Sequence, residues 1–155
     1  MKRIVISDVD GCLTDGKFVY TAEGKVSKTF GPHDNDGVKK LKKAGYEVIF
    51  ISADKRGFPI TKKRIDDMKC ELHQVSEEER MDWVANYIKD YEWSAFFGDG
   101  CSDIQAGTVV DFFGCPANAR HEVFEVADYI TPSNGSEGAF LDFANRILEL
   151  NNDNY

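Results

Sequence analysis

The sequence predicts an α/β domain, a Rossmann-like parallel sheet with helices on both faces. Three observations carry this. Short apolar runs, "IVIS", "VIFIS" and "SAFF", stand far apart in the chain and read as strands buried on both faces. Segments with helical spacing of apolar residues lie between them. Each run ends in polar residues with a glycine close behind, the joint expected where a strand hands over to a helix. The length of 155 residues fits one domain, placed at 1–150, with 151–155 expected to fray.

Taken in order, "KRIVISD" is a buried strand and "KFVYTAEGKVSKTF" a hairpin turning at Ala22–Gly24, so a protruding β-hairpin is expected near residues 18–30. "HDNDGVKKLKKAG" is a helix, with Asp34 or Asn35 as its cap, Val38 and Leu41 inward, and Gly45 as its stop. "YEVIFIS" is the next buried strand. "GFPITKKRIDDM" starts a helix on Pro59 and turns Ile60 and Ile65 inward. After a short strand, "CELHQV", the segment "SEEERMDWVANYIKDY" carries a capping box, Ser76 with Glu79, and Met81, Val84 and Ile88 on one face. "WSAFFGD" is a strand, a short helix begins at Ser102, and "VDFFGC", "RHEVFEVA" and "DYIT" follow as strand, helix and strand. The last helix, "SEGAFLDFANRILEL", repeats Phe140, Phe143, Ala144, Ile147 and Leu148 at helical spacing. No segment is long enough for a cap domain.

Composition narrows the function. Nineteen Lys and Arg against 27 Asp and Glu give a formal charge of −8, which argues against a nucleic-acid partner. No apolar run reaches membrane-spanning length and "MKRIVISDVD" lacks a signal-peptide core, so a cytoplasmic protein without a membrane partner is expected. Cys12, Cys70, Cys101 and Cys115 have no Cys-x-x-Cys spacing; they read as buried free thiols rather than a zinc site.

Ligands of a parallel sheet bind outside the carboxyl ends of its strands. The first strand ends in Asp8 and Asp10, the second in Ser52, the third in Asp99, with Asp103 one helical turn further on. Such an edge collects carboxylates, one hydroxyl and glycine-rich turns. An all-oxygen set suits Mg²⁺, and the cation would let an anionic phosphate approach the acids. Asp8 and Asp10 start on opposite sides of an extended chain, so a turn at Gly11 is needed to aim both at one phosphate.

The motifs "DVDGCLTDG", "FIS" and "GDGCSD" in this order resemble the haloacid dehalogenase superfamily of phosphohydrolases. "LTDG", the hairpin, "FGPHDNDGVKKLKKAGYEV" and "GSEGA" are similar to its small capless branch, which contains the octulosonate 8-phosphate phosphatases and the C-terminal module of acylneuraminate cytidylyltransferase. The resemblance implies a Mg²⁺-dependent phosphatase of a small phosphorylated metabolite, such as a sugar phosphate. Asp8 would be the nucleophile, forming an aspartyl-phosphate, and Asp10 the general acid and base. Asp8, Asp99 and the backbone carbonyl of Asp10 would hold Mg²⁺, with Asp103 in support. Ser52 and the amides of Gly11 and Ala53 would bind phosphate oxygens. It also implies a homotetramer in which the hairpin lies near a neighbour's site.

Two departures stand out. The family's Lys before the last motif falls here at Arg80, with Lys55 and Arg56 as the other candidate cations. Glu137 and His33 stand where the octulosonate enzymes carry Arg, which favours a less anionic sugar phosphate. Two alternatives are a catalytically silent oligomerisation module and a phosphorylated receiver domain. The four retained acids and one hydroxyl, Asp8, Asp10, Asp99, Asp103 and Ser52, oppose the first. The second needs adjacent acids after the first strand and its phosphoacceptor after a middle strand, the reverse of the order found.

Overall fold

The computed structural model describes residues 1–153. In chain order the elements are β1 (Arg3–Asp8), a hairpin of β2 (Thr14–Thr21) and β3 (Gly24–Phe30), α1 (Asp34–Lys43), β4 (Tyr46–Ser52), α2 (Phe58–Asp67), β5 (Glu71–Gln74), α3 (Arg80–Tyr87), β6 (Trp93–Phe97), α4 (Ser102–Thr108), β7 (Phe112–Cys115), α5 (His121–Phe124), β8 (Tyr129–Ile130) and α6 (Ala139–Leu150). Six strands form one parallel sheet in the order β5-β4-β1-β6-β7-β8. The chain builds outward from β1 in one direction through β4 and β5, then returns to its other side with β6. That reversal makes the end of β1 the switch point, where a crevice opens. The hairpin is a separate antiparallel pair.

Strand alternation divides the core in two. Val5, Phe50, Phe97 and Phe112 face α1, α2 and α6, meeting Leu41, Ile65, Phe140 and Phe143. Their neighbours Ile4, Ile6, Ile49, Ile51, Phe96 and Phe113 face α3, α4 and α5, meeting Val84, Ala106 and Val123. Phe143 stacks on Phe97 with ring centroids 4.6 Å apart. Burying a ring of this kind contributes about 2–3 kcal/mol, so this double layer holds β1 and its terminal acid in place.

Several local expectations change. The hairpin begins at Thr14, earlier than the pattern predicts. No side chain caps α1: His33 takes the cap position, and Asp34 sits inside the first turn with its carboxylate buried. Ile65 faces inward as expected, but Ile60 is only half-buried and Thr61 takes the inward place beside it. The capping box forms, with reciprocal bonds of Ser76 and Glu79 at 3.0 and 3.2 Å. The helix behind it ends at Tyr87, however, and presents Arg80 and Val84 inward while Met81 is half-buried. Cys101 is exposed and Cys70 half-buried, against the expectation of four buried thiols; all four are free. Of the tail expected to fray, residues 151–153 are held: Asp153 pairs with Arg3 at 2.9 Å, and Asn151 donates to the Tyr46 hydroxyl at 2.7 Å. Residues 154 and 155 lie outside the described residues. Among the described residues no helix is long and apolar enough to cross a membrane.

Candidate active site

A cleft of about 400 Å³ opens at the switch point, lined by Asp8, Asp10, Ala53, Arg80, Asp99 and Asp103 together with Phe18, Lys25, Asp54 and Glu77. Asp8 is the last residue of β1, in register with Ile51 of β4. The Val9 amide donates to its Oδ1 at 2.9 Å. The chain then coils tightly, with the amides of Cys12 and Leu13 returning to the Val9 carbonyl at 3.1 and 2.8 Å. This coil brings both Asp8 and Asp10 to the cleft.

Gly11 makes the coil possible. Its φ is +85°, and a Cβ there would lie 1.9 Å from Asp99 Oδ2, a position no side chain can share. Its amide is spent on Thr14 Oγ1 at 3.0 Å. Gly11 therefore gives clearance to Asp99, and its N–H is not free in this conformation for the phosphate expected there. Ser52 is buried at the end of β4, and its Oγ accepts from the Asp54 amide at 3.2 Å. It shapes the loop that carries Ala53 and Asp54 to the cleft. Lys55 and Arg56 are exposed and lie outside the cleft lining.

Asp103 lines the cleft and organises its floor. Its Oδ2 accepts from the amides of Asp99 and Gly100 at 3.0 and 3.1 Å, and its Oδ1 takes Arg80 Nη1 at 2.7 Å. Both of its oxygens are engaged, so its fit as a direct metal ligand is poorer than that of Asp8 and Asp99. Arg80 Nη1 also lies 3.7 Å from Asp8 Oδ2. Burial works against the guanidinium charge, but Asp8 and Asp103 outweigh it and keep Arg80 protonated.

The electrostatics show what this cluster lacks. Burial raises the Asp8 carboxyl well above the usual range; Asp103 and Asp99 add to that, and Arg80 opposes it. Burial and Asp103 push Asp99 up to about 7. Close carboxylates repel unless a cation lies between them. Asp8, Asp99 and the Cys12 thiol come close enough to share one ion. Burial, followed by Asp99 and Asp8, raises the Cys12 pKa well above its ordinary value. A hard cation such as Mg²⁺ takes oxygen rather than sulfur ligands, which leaves the two carboxylates. An oxygen set with repulsion to relieve fits Mg²⁺.

Asp54, Lys25 and Lys28 escape sequence reading. Lys28 Nζ lies 2.9 Å from Asp10 Oδ1, and Lys25 Nζ 2.6 Å from Asp54 Oδ2. Burial works against the Asp54 charge, but these lysines hold its carboxyl well below the usual range. The two lysines are three apart and would point to opposite faces of a regular strand. Val19 pairs with Ser27 while Tyr20 pairs with Lys25, so Val26 is an extra, bulged residue that brings both lysines to one face. No periodicity could reveal that. The hairpin thus reaches the site of its own chain.

Fold and site together define a Rossmann-like protein with a carboxylate and guanidinium cluster suited to a divalent cation and a phosphate. No family model matches the chain. It is 31% identical over 151 residues to the 3-deoxy-D-manno-octulosonate 8-phosphate phosphatase of Haemophilus influenzae, covering 95% of this chain and 83% of that protein. It is also 27% identical to the N-acylneuraminate cytidylyltransferase of Oncorhynchus mykiss, covering 96% of this chain but 35% of that protein. A cobalt-bound structure of the Haemophilus influenzae phosphatase superposes with a TM-score of 0.86 at 30% identity, covering 96% of this chain and 88% of that one. The 3-deoxy-D-manno-octulosonate 8-phosphate phosphatase of Moraxella catarrhalis, solved with a magnesium ion, a phosphate ion and a KDO molecule, gives 0.85 at 25% identity, covering 96% and 86%. The chain belongs to the haloacid dehalogenase superfamily, among the capless phosphatases of the octulosonate 8-phosphate type.

Proposed function

We propose that this protein hydrolyses a small sugar phosphate or related phosphomonoester, with Asp8 as nucleophile. One observation carries the reading: the Asp8 carboxylate stands at the switch point, faces the cleft, and has Arg80 at 3.7 Å. An Asp8 oxygen attacks phosphorus, and the bond from phosphorus to the substrate oxygen breaks. The departing alkoxide takes a proton from the Asp10 carboxyl. Asp10 then takes a proton from water as the water oxygen attacks phosphorus, releasing inorganic phosphate and restoring Asp8. Arg80 offers a fixed cation to the phosphoryl oxygens. The Ala53 amide and the loop held by Ser52 add donors. Asp8, Asp99 and the Asp10 carbonyl would hold Mg²⁺, which supplies charge neutralisation at the transferring group.

The cleft lining also mixes Lys25 and Phe18 with Asp54 and Glu77, charges that suit a polyhydroxylated rather than a strongly anionic leaving group. His33 and Glu137 lie outside the cleft lining and are exposed. Phe18, Val19, Tyr20 and Val26 of the hairpin are each about half exposed, an apolar surface suited to other copies of this chain. We place the protein in the cytoplasm as a homotetramer of carbohydrate metabolism, in keeping with four free thiols. Phosphate release from a panel of sugar phosphates and nucleotides with Mg²⁺ tests the reading. Turnover lost in Asp8→Asn is the expected result; no turnover of any ester by the wild type would favour the silent module.

A further inference from the structure

Asp10 leaves β1 on a loop, and its carboxylate must be held at one place to exchange a proton with an oxygen in the cleft. Among the described residues all its side-chain hydrogen bonds and ion pairs come from one group, Lys28. The ammonium lies 2.9 Å from Oδ1 and 3.0 Å from Oδ2. Lys28 is itself fixed: its side chain is fully buried, and Nζ also meets Asp54 Oδ2 at 2.8 Å and Thr61 Oγ1 at 2.9 Å. Three partners match the three donors of an ammonium. The cradle is tight. A Cβ on Gly57 would lie 2.7 Å from Lys28 Cε and 2.2 Å from Asp54 Oδ2. Four parts of the chain, β3, the loop after β1, the loop after β4 and α2, thus meet around one lysine.

We propose that Lys28 is a positioning residue of this same chain's site, resting on the phosphatase reading above: it clamps the Asp10 carboxylate beside the leaving-group oxygen. It carries no proton itself, and the balance of the reaction is unchanged. The hairpin is then part of the catalytic apparatus in cis, in addition to any role in assembly. Proton delivery by a placed side chain is worth about 100-fold or more, and small misplacements forfeit much of it.

The test compares leaving groups. An alkoxide needs the proton, whereas p-nitrophenolate departs without one. The parameter kcat/KM reports only the steps up to loss of the alcohol. For Lys28→Met, kcat/KM should fall about 100-fold on whichever sugar phosphate of the panel the wild type hydrolyses. On p-nitrophenyl phosphate it should fall less than about 5-fold. Lys28→Arg, which keeps a cation, should restore about a tenth of the loss or more. Thr61→Val, which removes only the anchor, should show the same preference at about 10-fold, and it carries the test if Lys28→Met fails to fold. Equal losses on both substrates, or none on either, would overturn the assignment. A wild type inactive on both overturns the phosphatase reading itself.

Discussion

Arg80 donates to Asp103 across 2.7 Å at a point where both side chains are closed to solvent, 3% and 1% exposed. Asp103 in turn holds the amides of Asp99 and Gly100. One ion pair therefore fixes the loop bearing Asp99 and aims a guanidinium at Asp8. Removing one partner of a buried pair strands the other's charge, at a cost of about 3–5 kcal/mol. Arg80→Met should lower the unfolding free energy by that order and abolish phosphate release. Asp103→Asn, of similar shape, should lose less stability but still most activity. Urea unfolding alongside a phosphate assay checks both; an Arg80→Met protein as active as wild type would remove Arg80 from the site.

Asp8 sits where its charge is disfavoured by burial and by Asp103 and Asp99. Asp8→Asn removes that charge and its nucleophilic oxygen together. Without divalent cation the variant should melt above the wild type, by a few degrees for about 1 kcal/mol in a domain of this size. Phosphate release should vanish. Stabilisation coupled to loss of function is the signature expected; substantial turnover by pure Asp8→Asn would exclude it as nucleophile.

The scaffold was legible because its strands are buried on both faces. β4 occupies the predicted "YEVIFIS" without a shift, and the acids at the ends of β1 and β6 fall where the strand-end rule puts them. Charged side chains in loops were legible only by type, not by partner. Arg80 was found through its place in the motif order, whereas Lys25 and Lys28 depended on a bulge at Val26 that no pattern marks. Asp34 and Asn35 looked like caps, yet the backbone placed His33 there and drew Asp34 inside. Ile60 and Met81 fitted helical spacing, but neighbouring Thr61 and Arg80 took the inward places because each has a buried polar partner, Lys28 and Asp103.

Repulsion among Asp8, Asp99 and Asp103 makes cation binding a stability term. Mg²⁺ at 100 times its dissociation constant should add about 2.7 kcal/mol to stability. Differential scanning with and without chelator reads this directly. Asp99→Asn should remove most of the shift, while Asp15→Asn, which lies outside the cleft lining, should keep it. Full activity after exhaustive chelation would contradict the metal requirement.

The outward side of the hairpin predicts assembly. Val19 and Val26 are 54% and 48% exposed, while Lys25 and Lys28 on the other side reach inward. Val19→Ser with Val26→Ser should shift the protein toward monomers without touching the lysine contacts. Light scattering at micromolar concentration gives the mass of both proteins. A wild type that is monomeric would show that these residues cover nothing, and that the hairpin serves its own site alone.

Asp34 is buried at 1% exposure, and neither carboxylate oxygen has a hydrogen-bond partner of normal geometry. Burial pushes its pKa up to about 7, against the opposing pull of the Arg64 charge and the Phe140 amide. In the unfolded chain the same group titrates at about 3.9. Between those values the folded protein holds the proton and the unfolded chain releases it. Stability must therefore fall as pH rises from about 4 to about 7, and level off above. The full span has an upper bound of about 4 kcal/mol, at about 1.4 kcal/mol per pK unit. Asp34→Asn keeps the shape and removes the titration. It should flatten this part of the pH profile and raise the melting temperature at pH 8, with little change at pH 4.5. Asp34 lies outside the lining of the cleft, so the effect should be read in metal-free protein by thermal melts across pH. A slope unchanged in Asp34→Asn would mean that the buried carboxylate finds a partner in solution, and that another group carries the pH dependence.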